Sequence, residues 1–484
     1  MAYFNYGDNR WKICCGFNLS PVEQKAVNEI YGFMQQYLPY VFTVCETEAD
    51  ITENDHIVYI GTLESNPALV KLANAGAFEV ETRKEGYSIK VMPSANRAEH
   101  TDIIIQGADA SGVLYGVYEL EHAYFDNLLK YEGYHFDKRV KPLIDPCTNF
   151  EEKSAPSLVN RGLWTWGHKI YDYKGYLDNM ARCRMNMLIM WNDSVPLNAK
   201  DIIDYAHSCG IKIVWGYTCA WGGEIKVDPN DPASAEYWGK RVLEVYEREY
   251  LPLGGDGVYF QAFTEHTHLE MDGVPTATLI TNWINHMEKV LHDAYPDLYV
   301  QFGIHASSIR ENSKLMGHLT SGVTPVWEDC GGLPYHYDPR RGDMDYAAQF
   351  TKDIVELAKP KGNFGVVLKG FHVLNWKEFE HFKGRVLVGV ADKIHMRRRL
   401  EETQFYWKFQ EPYWINHLDR LQAFCQTVAA ANFVDSTATA LVEDGLFDLE
   451  IAPAVGLFAE LLWDANADLN KVREKIYHSV HFGH

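Results

Sequence analysis

From Leu158 onward the chain alternates eight times between a short apolar run and a longer amphipathic stretch. The runs are LVNRGLWTW (158–166), MNMLIMWND (185–193), IKIVWGYTC (211–219), GVYFQAFTE (257–265), LYVQFGIHA (298–306), GVTPVWEDC (322–330), FGVVLKGFH (364–372) and the weaker STATALVEDG (436–445). Between them, YKGYLDNMARCR, AKDIIDYAHSCG, SAEYWGKRVLEVYERE, TATLITNWINHMEKVLHDAY and DYAAQFTKDIVELA space their apolar residues at a helical period. Eight strand–helix units over about 290 residues is the size and rhythm of a (β/α)8 TIM barrel. A doubly wound open sheet shares the alternation, but no GxGxxG follows the first strand. The expected fold class is α/β, with a closed barrel.

Residues 1–150 read as a separate, small α/β domain. HIVYIGT (56–62), EGYSIKVM (85–92) and TDIIIQGAD (101–109) are predicted strands, SNPALVKLANAG (65–76) and ASGVLYGVYELEHAYF (110–125) predicted helices. RVKPLIDPCTNFEEKSAPS (139–157), rich in Pro and charge, reads as a linker. Residues 151–484 then form the barrel, ending in a helical tail, FAELLWDANADLNKVREKIYHS, that packs on it.

A net charge of -21 argues against nucleic acid or anionic membranes as partners, since both need a basic surface. Nine scattered cysteines without a CxxC pair predict free, buried thiols in a reducing compartment. The start MAYFNYGDNRWKICCGFNL has no basic segment followed by an apolar run, so a cytoplasmic location is expected, although a trimmed leader would leave the same start. No apolar stretch approaches the length of a membrane span. The oligomeric state is left open, a homo-oligomer included. Aromatics reach 13%, with 13 Trp and 29 Tyr; beyond core packing, such rings suit the flat C–H faces of sugars.

In a barrel of this kind chemistry gathers at the carboxyl ends of the strands. Strand one offers Arg161 and Trp164, strand two Trp191 and Asp193, and the loop after strand three Trp221. Strand four ends in Glu265 and His266, strand five in His305, strand six in Trp327-Glu328-Asp329. Strand seven brings Lys369 and Trp376, strand eight Glu443. Carboxylates and tryptophans from different strands around one mouth suit glycoside hydrolysis, in which one carboxylic acid protonates the leaving oxygen and a second carboxylate activates water or attacks. Glu265 follows an apolar run that would raise its pKa, and is the expected acid; Glu328 or Asp329 is the expected base or nucleophile. The others are candidate substrate contacts, with Trp191, Trp221 and Trp327 as sugar platforms, Lys369 as a clamp for an acidic sugar and Arg161 for hydroxyls or a carboxylate. Each has a plainer reading: a solvated or salt-bridged strand end, a core tryptophan, a structural ion pair, a turn at Glu443.

His266-x-His268 with Glu265, His305 and Asp329 also offers zinc-type ligands, residues i and i+2 of a strand pointing the same way. Metallohydrolase barrels resembling amidohydrolases carry His-x-His on the first strand, which here reads Trp164-Thr165-Trp166. A serine or cysteine nucleophile has less behind it, since GxSxG is absent.

The segments IVYIGT, EGYSIKV and IIIQGADASGVLYGVYELEH together resemble the small α/β domain before the barrel in family 20 hexosaminidases and family 67 α-glucuronidases. Asn160-Arg161-Gly162-Leu163 followed by YLDNMARCRMNMLIMWND resembles the start of those barrels, and the resemblance implies that Arg161 binds sugar hydroxyls. Family 20 enzymes carry His-x-Gly-Gly-Asp-Glu on strand four. Here that strand reads Phe263-Thr264-Glu265-His266, without the Asp that orients a substrate acetamide. The order Glu265, then Glu328 or Asp329, is closer to the α-glucuronidases, and the chain resembles both families without clear membership of either. The expectation is an exo-acting glycoside hydrolase for a terminal uronic acid, hexosamine or hexose, needing no cofactor or metal because two carboxylates suffice. A catalytically silent carbohydrate-binding barrel and a metal-dependent barrel hydrolase are the alternatives.

Overall fold

The structure, a computed structural model, describes residues 10–37, 42–97, 100–125, 149–166, 170–192, 194–219, 227–261, 268–305, 309–328, 344–371, 384–442, 447–479 and 481–482. Two compact units emerge: one up to Pro156 with His207–Gly210 and Arg473–His481, the other from Ser157–Ala206 and Ile211–Val472 with Phe482.

The first unit is built on a six-stranded sheet: β1 (Arg10–Cys14), β2 (Phe42–Cys45), β3 (Asp55–Gly61), β4 (Tyr87–Pro93), β5 (Thr101–Gly107) and β6 (Phe150–Ser154), ordered β2-β1-β3-β5-β4-β6. The first four in that order run parallel; β4 pairs antiparallel with β5 and β6. Helices α1 (Pro21–Tyr37), α2 (Pro67–Asn74) and α3 (Ala110–Glu119) follow β1, β3 and β5, and α3 runs on into a π-helical turn, Leu120–Phe125. β3 and β5 are buried along their whole length, as near-continuous apolar runs in parallel sheets are. β6 corrects the linker reading of residues 139–157. Its sequence FEEKS is a polar edge strand, and charged residues are what protect a sheet edge. Lys153 meets Glu79 at 2.7 Å, Lys90 meets Glu151 at 3.4 Å, and Tyr87 Oη donates to Glu152 at 3.0 Å.

The second unit is the barrel. Its strands β7 (Asn160–Trp166), β8 (Met187–Trp191), β9 (Lys212–Gly216), β10 (Gly257–Gln261), β13 (Val300–His305), β14 (Thr324–Glu328), β15 (Asn363–Phe371) and β16 (Asp435–Val442) close in parallel, β16 pairing with β7. A hairpin of β11 (Glu270–Met271) and β12 (Val274–Pro275) follows β10 and turns on Asp272-Gly273, both at positive φ, the pairing a tight hairpin demands. All eight expected strands are present, and the five expected helices lie at 173–182, 199–208, 232–245, 276–294 and 344–358. Two more helices, Lys393–Asn416 and Leu418–Ala429, fill the interval before β16. The tail forms two helices, Pro453–Trp463 and Leu469–His478, because Asp464 is extended and Asp468 caps the second through Asn470 N at 2.8 Å. From Arg473 the second helix belongs to the first unit, where Lys475 meets Glu119 at 2.6 Å, which corrects the expectation of a tail packed on the barrel.

Inside the barrel the side chains form layers. At the amino end lies a polar group: Tyr299 and Asn160 donate to Asp435 at 2.8 and 2.6 Å, and Lys212 donates to Asn160 at 2.8 Å. Above it sit Met187, Ile189, Val214, Val326, Val367 and Leu441 with Trp164, Trp191 and Tyr259. The described cysteines, Cys14, Cys15, Cys45, Cys183, Cys209, Cys219 and Cys425, are buried. No described helix is long and apolar enough to cross a membrane.

Candidate active site

Strand alternation decides what faces the carboxyl end of the barrel. Tyr259 and Gln261 are two apart on β10 and share the inner face, as do Val326 and Glu328 on β14. Glu328, fully buried, is the centre of the cluster. Tyr259 Oη donates to its Oε1, and Gln261 Nε2 reaches both carboxylate oxygens, at 2.6 and 2.5 Å. Lys369 Nζ stands 3.2 Å and His305 Nε2 3.4 Å from Oε2. Gly303, opposite on β13, makes the room: a Cβ there would overlap both Glu328 Oε1 and Tyr259 Oη. Lys369 also lies over the Trp164 ring, 5.5 Å from its centroid. Trp164 and Trp191 meet Tyr259 edge-on, at 6.0 and 6.2 Å.

Burial alone would raise the Glu328 pKa, but the Lys369 charge, His305 and the Tyr259 hydroxyl outweigh it and hold the carboxyl at about 2, against its usual 4.5. Glu328 is therefore ionised throughout the physiological range and cannot serve as a general acid. It can attack, accept a proton, or stabilise positive charge. Because its folded pKa is depressed, its contribution to stability is complete above pH 4.5 and disappears as pH falls towards 2. The contribution is on the order of 3 kcal/mol. Calorimetry at pH 5 and pH 3 should show a larger fall in Tm for the wild type than for Glu328→Gln; equal falls would contradict the assignment.

The expected site residues thus divide. Glu328, His305, Lys369, Trp164 and Trp191 come together. Trp191 also borders a cavity of about 180 Å3 at the ends of β8 and β9, with Asn192, Tyr217, Arg241 and Arg248 in its wall. Trp327 does not join them. Adjacent to Glu328, it points the other way and packs edge-on against Phe350 of the helix Met344–Ala358, 5.9 Å away. Arg161 is also corrected. As the second residue of β7 it lies at the amino end, where Nη1 donates to Leu158 O and Val159 O at 2.7 and 3.0 Å, Nε donates to Arg184 O at 3.0 Å, and the guanidinium covers the Trp463 ring. It ties the barrel floor together. Glu265, His266, Asp329, Asp193, Trp221, Trp376 and Glu443 lie outside the described residues.

Tyr259 is a neighbour of Glu328 that the sequence does not single out, while Gln261 is one of the residues that end strand four. The inward parity of β10 was the available signal. Burial, then the nearby Glu328 charge, pushes the Tyr259 hydroxyl well above its ordinary range, so it stays a donor. Cys219 sits buried under the Gln261 carbonyl, and burial pushes its thiol up to about 12, which keeps it protonated. Among the described residues one group brings three metal-type ligands within 4.8 Å of one another: Glu121, His122 and His481 of the first unit, where His481 Nε2 meets Glu121 at 2.8 Å.

Residues 15–120 match the family described as "Glycosyl hydrolase family 67 N-terminus". No curated protein matches the sequence. Among solved structures, the GH20 beta-N-acetylhexosaminidase from Streptomyces coelicolor aligns with 98% of this chain and 91% of its own, at 12% identity and a TM-score of 0.54. A family 89 glycoside hydrolase from Clostridium perfringens, in complex with 2-acetamido-1,2-dideoxynojirmycin, aligns with 94% of this chain at 10% identity and a TM-score of 0.50. This chain spans half the length of that enzyme. At such identities the two structures speak to the fold, a small α/β domain and a (β/α)8 barrel. The amino-terminal domain relates the chain to the glycoside hydrolases, without clear membership of family 67 or family 20.

Proposed function

We propose that this chain is an exo-acting glycoside hydrolase that removes a terminal sugar by a two-carboxylate mechanism. The observation that carries the reading is Glu328, an ionised carboxylate at the carboxyl end of the barrel among four donors from three neighbouring strands, β10, β13 and β15. A carboxylate with a pKa of about 2 takes the role of base or nucleophile. The proton for the leaving oxygen then comes from a second group, and Glu265, four residues beyond Gln261 in sequence, is assigned that role. Tyr259, Gln261, Lys369 and His305 occupy the roughly four lone-pair sites of the Glu328 carboxylate. For Glu328 to reach a substrate, Gln261 releases one of the two oxygens it now touches, and its amide turns to a sugar hydroxyl. The substrate class takes in uronides beside hexosaminides and hexosides: Lys369 is a cation at the reacting carboxylate, while Arg248 in the wall of the Trp191 cavity is paired with Glu249 at 2.6 Å.

The reading is tested by incubating the purified chain with nitrophenyl uronides, hexosaminides and hexosides of both anomers and following nitrophenol release. The expected result is turnover of one sugar class, with the product anomer read by proton NMR during the first minutes. Retention identifies Glu328 or Asp329 as a nucleophile, inversion as a base. No turnover across the whole panel would count against the assignment and favour a silent sugar-binding barrel.

A further inference from the structure

The small domain holds a crevice that the barrel chemistry does not use. In its sheet the chain leaves β1 towards β2 on one side and returns with β3 on the other, so the strand order reverses between β1 and β3. Ligands of open parallel sheets bind outside the carboxyl ends of the strands at such a switch point. The crevice lies there, about 890 Å3 in volume, walled by the loops after β1, β3 and β5. Sites for small molecules span roughly 300–1,000 Å3. The two switch-point loops are locked together: Phe17 N donates to Ser65 O at 2.9 Å, and Gly16, at φ +79°, has no room for a Cβ beside that carbonyl.

The wall indicates what would bind. Three helices begin at the crevice, but each is already capped from within. Ser20 and Glu23 form a reciprocal capping box on α1, Asn66 accepts from Ala68 N at 3.0 Å on α2, and Asp109 accepts from Gly112 N at 2.9 Å on α3. The described wall carries Glu23, Glu64, Glu81 and Asp109 and neither Lys nor Arg, so a phosphate or other anion is disfavoured. Glu81 is occupied by Arg83 at 2.6 Å, and Asp109 Oδ2 by Glu85 N at 2.8 Å. Glu23 is different. It is 6% exposed; its Oε2 takes both Ser20 groups at 2.9 Å, while Oε1 is buried with no hydrogen-bond partner among the described residues. A buried acceptor left open in this way calls for a donor. Phe17, 43% exposed on the same wall, offers a flat apolar face beside it.

We infer that this crevice is a second binding site, for an uncharged oligosaccharide whose hydroxyl donates to Glu23 and whose ring lies on Phe17. The choice of sugar among donor-bearing ligands rests on the glycoside hydrolase reading above; the location and the need for a donor do not.

The test titrates the full-length chain, Phe17→Ala and Glu23→Gln with cellotriose, xylotriose and N-acetylchitotriose, and with spermine and calcium chloride, by calorimetry and saturation-transfer NMR. Glu23→Gln can keep its carbonyl oxygen on Ser20 while an amide replaces the open acceptor, and Phe17→Ala leaves the cap untouched. The expected result is saturable binding of at least one trisaccharide, weakened tenfold or more by each substitution. Binding that neither substitution changes, no trisaccharide binding at millimolar concentration, or Glu23-dependent binding of spermine or calcium instead would overturn the inference. If the wild type hydrolyses nothing in the nitrophenyl panel yet binds a trisaccharide through Phe17, the hydrolase reading fails and this one stands.

Discussion

Glu328→Gln is expected to lower kcat by about three orders of magnitude on whichever nitrophenyl glycoside the wild type cleaves, with KM moved only a fewfold. The amide keeps the size of the side chain and one acceptor for Lys369, but removes the charge that attacks or draws a proton from water. Glu328 also anchors Tyr259, Gln261, Lys369 and His305. Were that anchoring its whole contribution, the substitution would instead raise KM and lower Tm together while kcat stayed within about tenfold. The split between kcat and KM, measured well below Tm, decides between the two roles.

Lys369→Met is expected to destabilise the fold by about 3–5 kcal/mol, the cost of breaking a buried ion pair from one side. Lys369 and Glu328 are only 8% and 0% exposed, so solvent cannot replace the lost partner. Without the ammonium group, burial dominates the Glu328 carboxyl and its pKa rises. The companion variant Lys369→Met/Glu328→Gln removes both charges and should recover most of the loss, since a neutral pair of similar shape is tolerated far better than a lone buried charge. Urea unfolding of the two single variants, the double variant and the wild type completes the cycle. A loss below about 1 kcal/mol in Lys369→Met would show that the pair does not hold the barrel mouth together.

The eight strands were legible because each is an apolar run of strand length between amphipathic stretches, and closure followed from their number. β6 was hidden because an edge strand such as FEEKS carries charge where a central one carries Val or Ile. The site was legible to the extent that strand ends could be listed, which brought in Glu328, His305 and Lys369. Face was harder than position. Trp327 and Glu328 are neighbours in sequence, yet alternation sends one to the helix layer and the other to the barrel interior. Arg161 shows the complementary error: it is on the right strand but at the wrong end, where carbonyls and Trp463 take its guanidinium. Tyr259 read as one more aromatic in an apolar run, and only its hydroxyl against Glu328 reveals its use. The depressed pKa of Glu328 could not be read from sequence at all, because it arises from groups on strands 41 and 23 residues away in the chain, at Lys369 and His305.

Leaving-group dependence in Glu265→Gln tests the division of labour between Glu265 and Glu328. A general acid matters when the departing oxygen is basic and hardly at all when it is not. Glu265→Gln is expected to lose about 10²–10⁴-fold in rate on a natural or methyl glycoside, while a 2,4-dinitrophenyl glycoside of the same sugar is cleaved within about tenfold of the wild-type rate. Unchanged rates on both substrates, or equal losses on both, would contradict it.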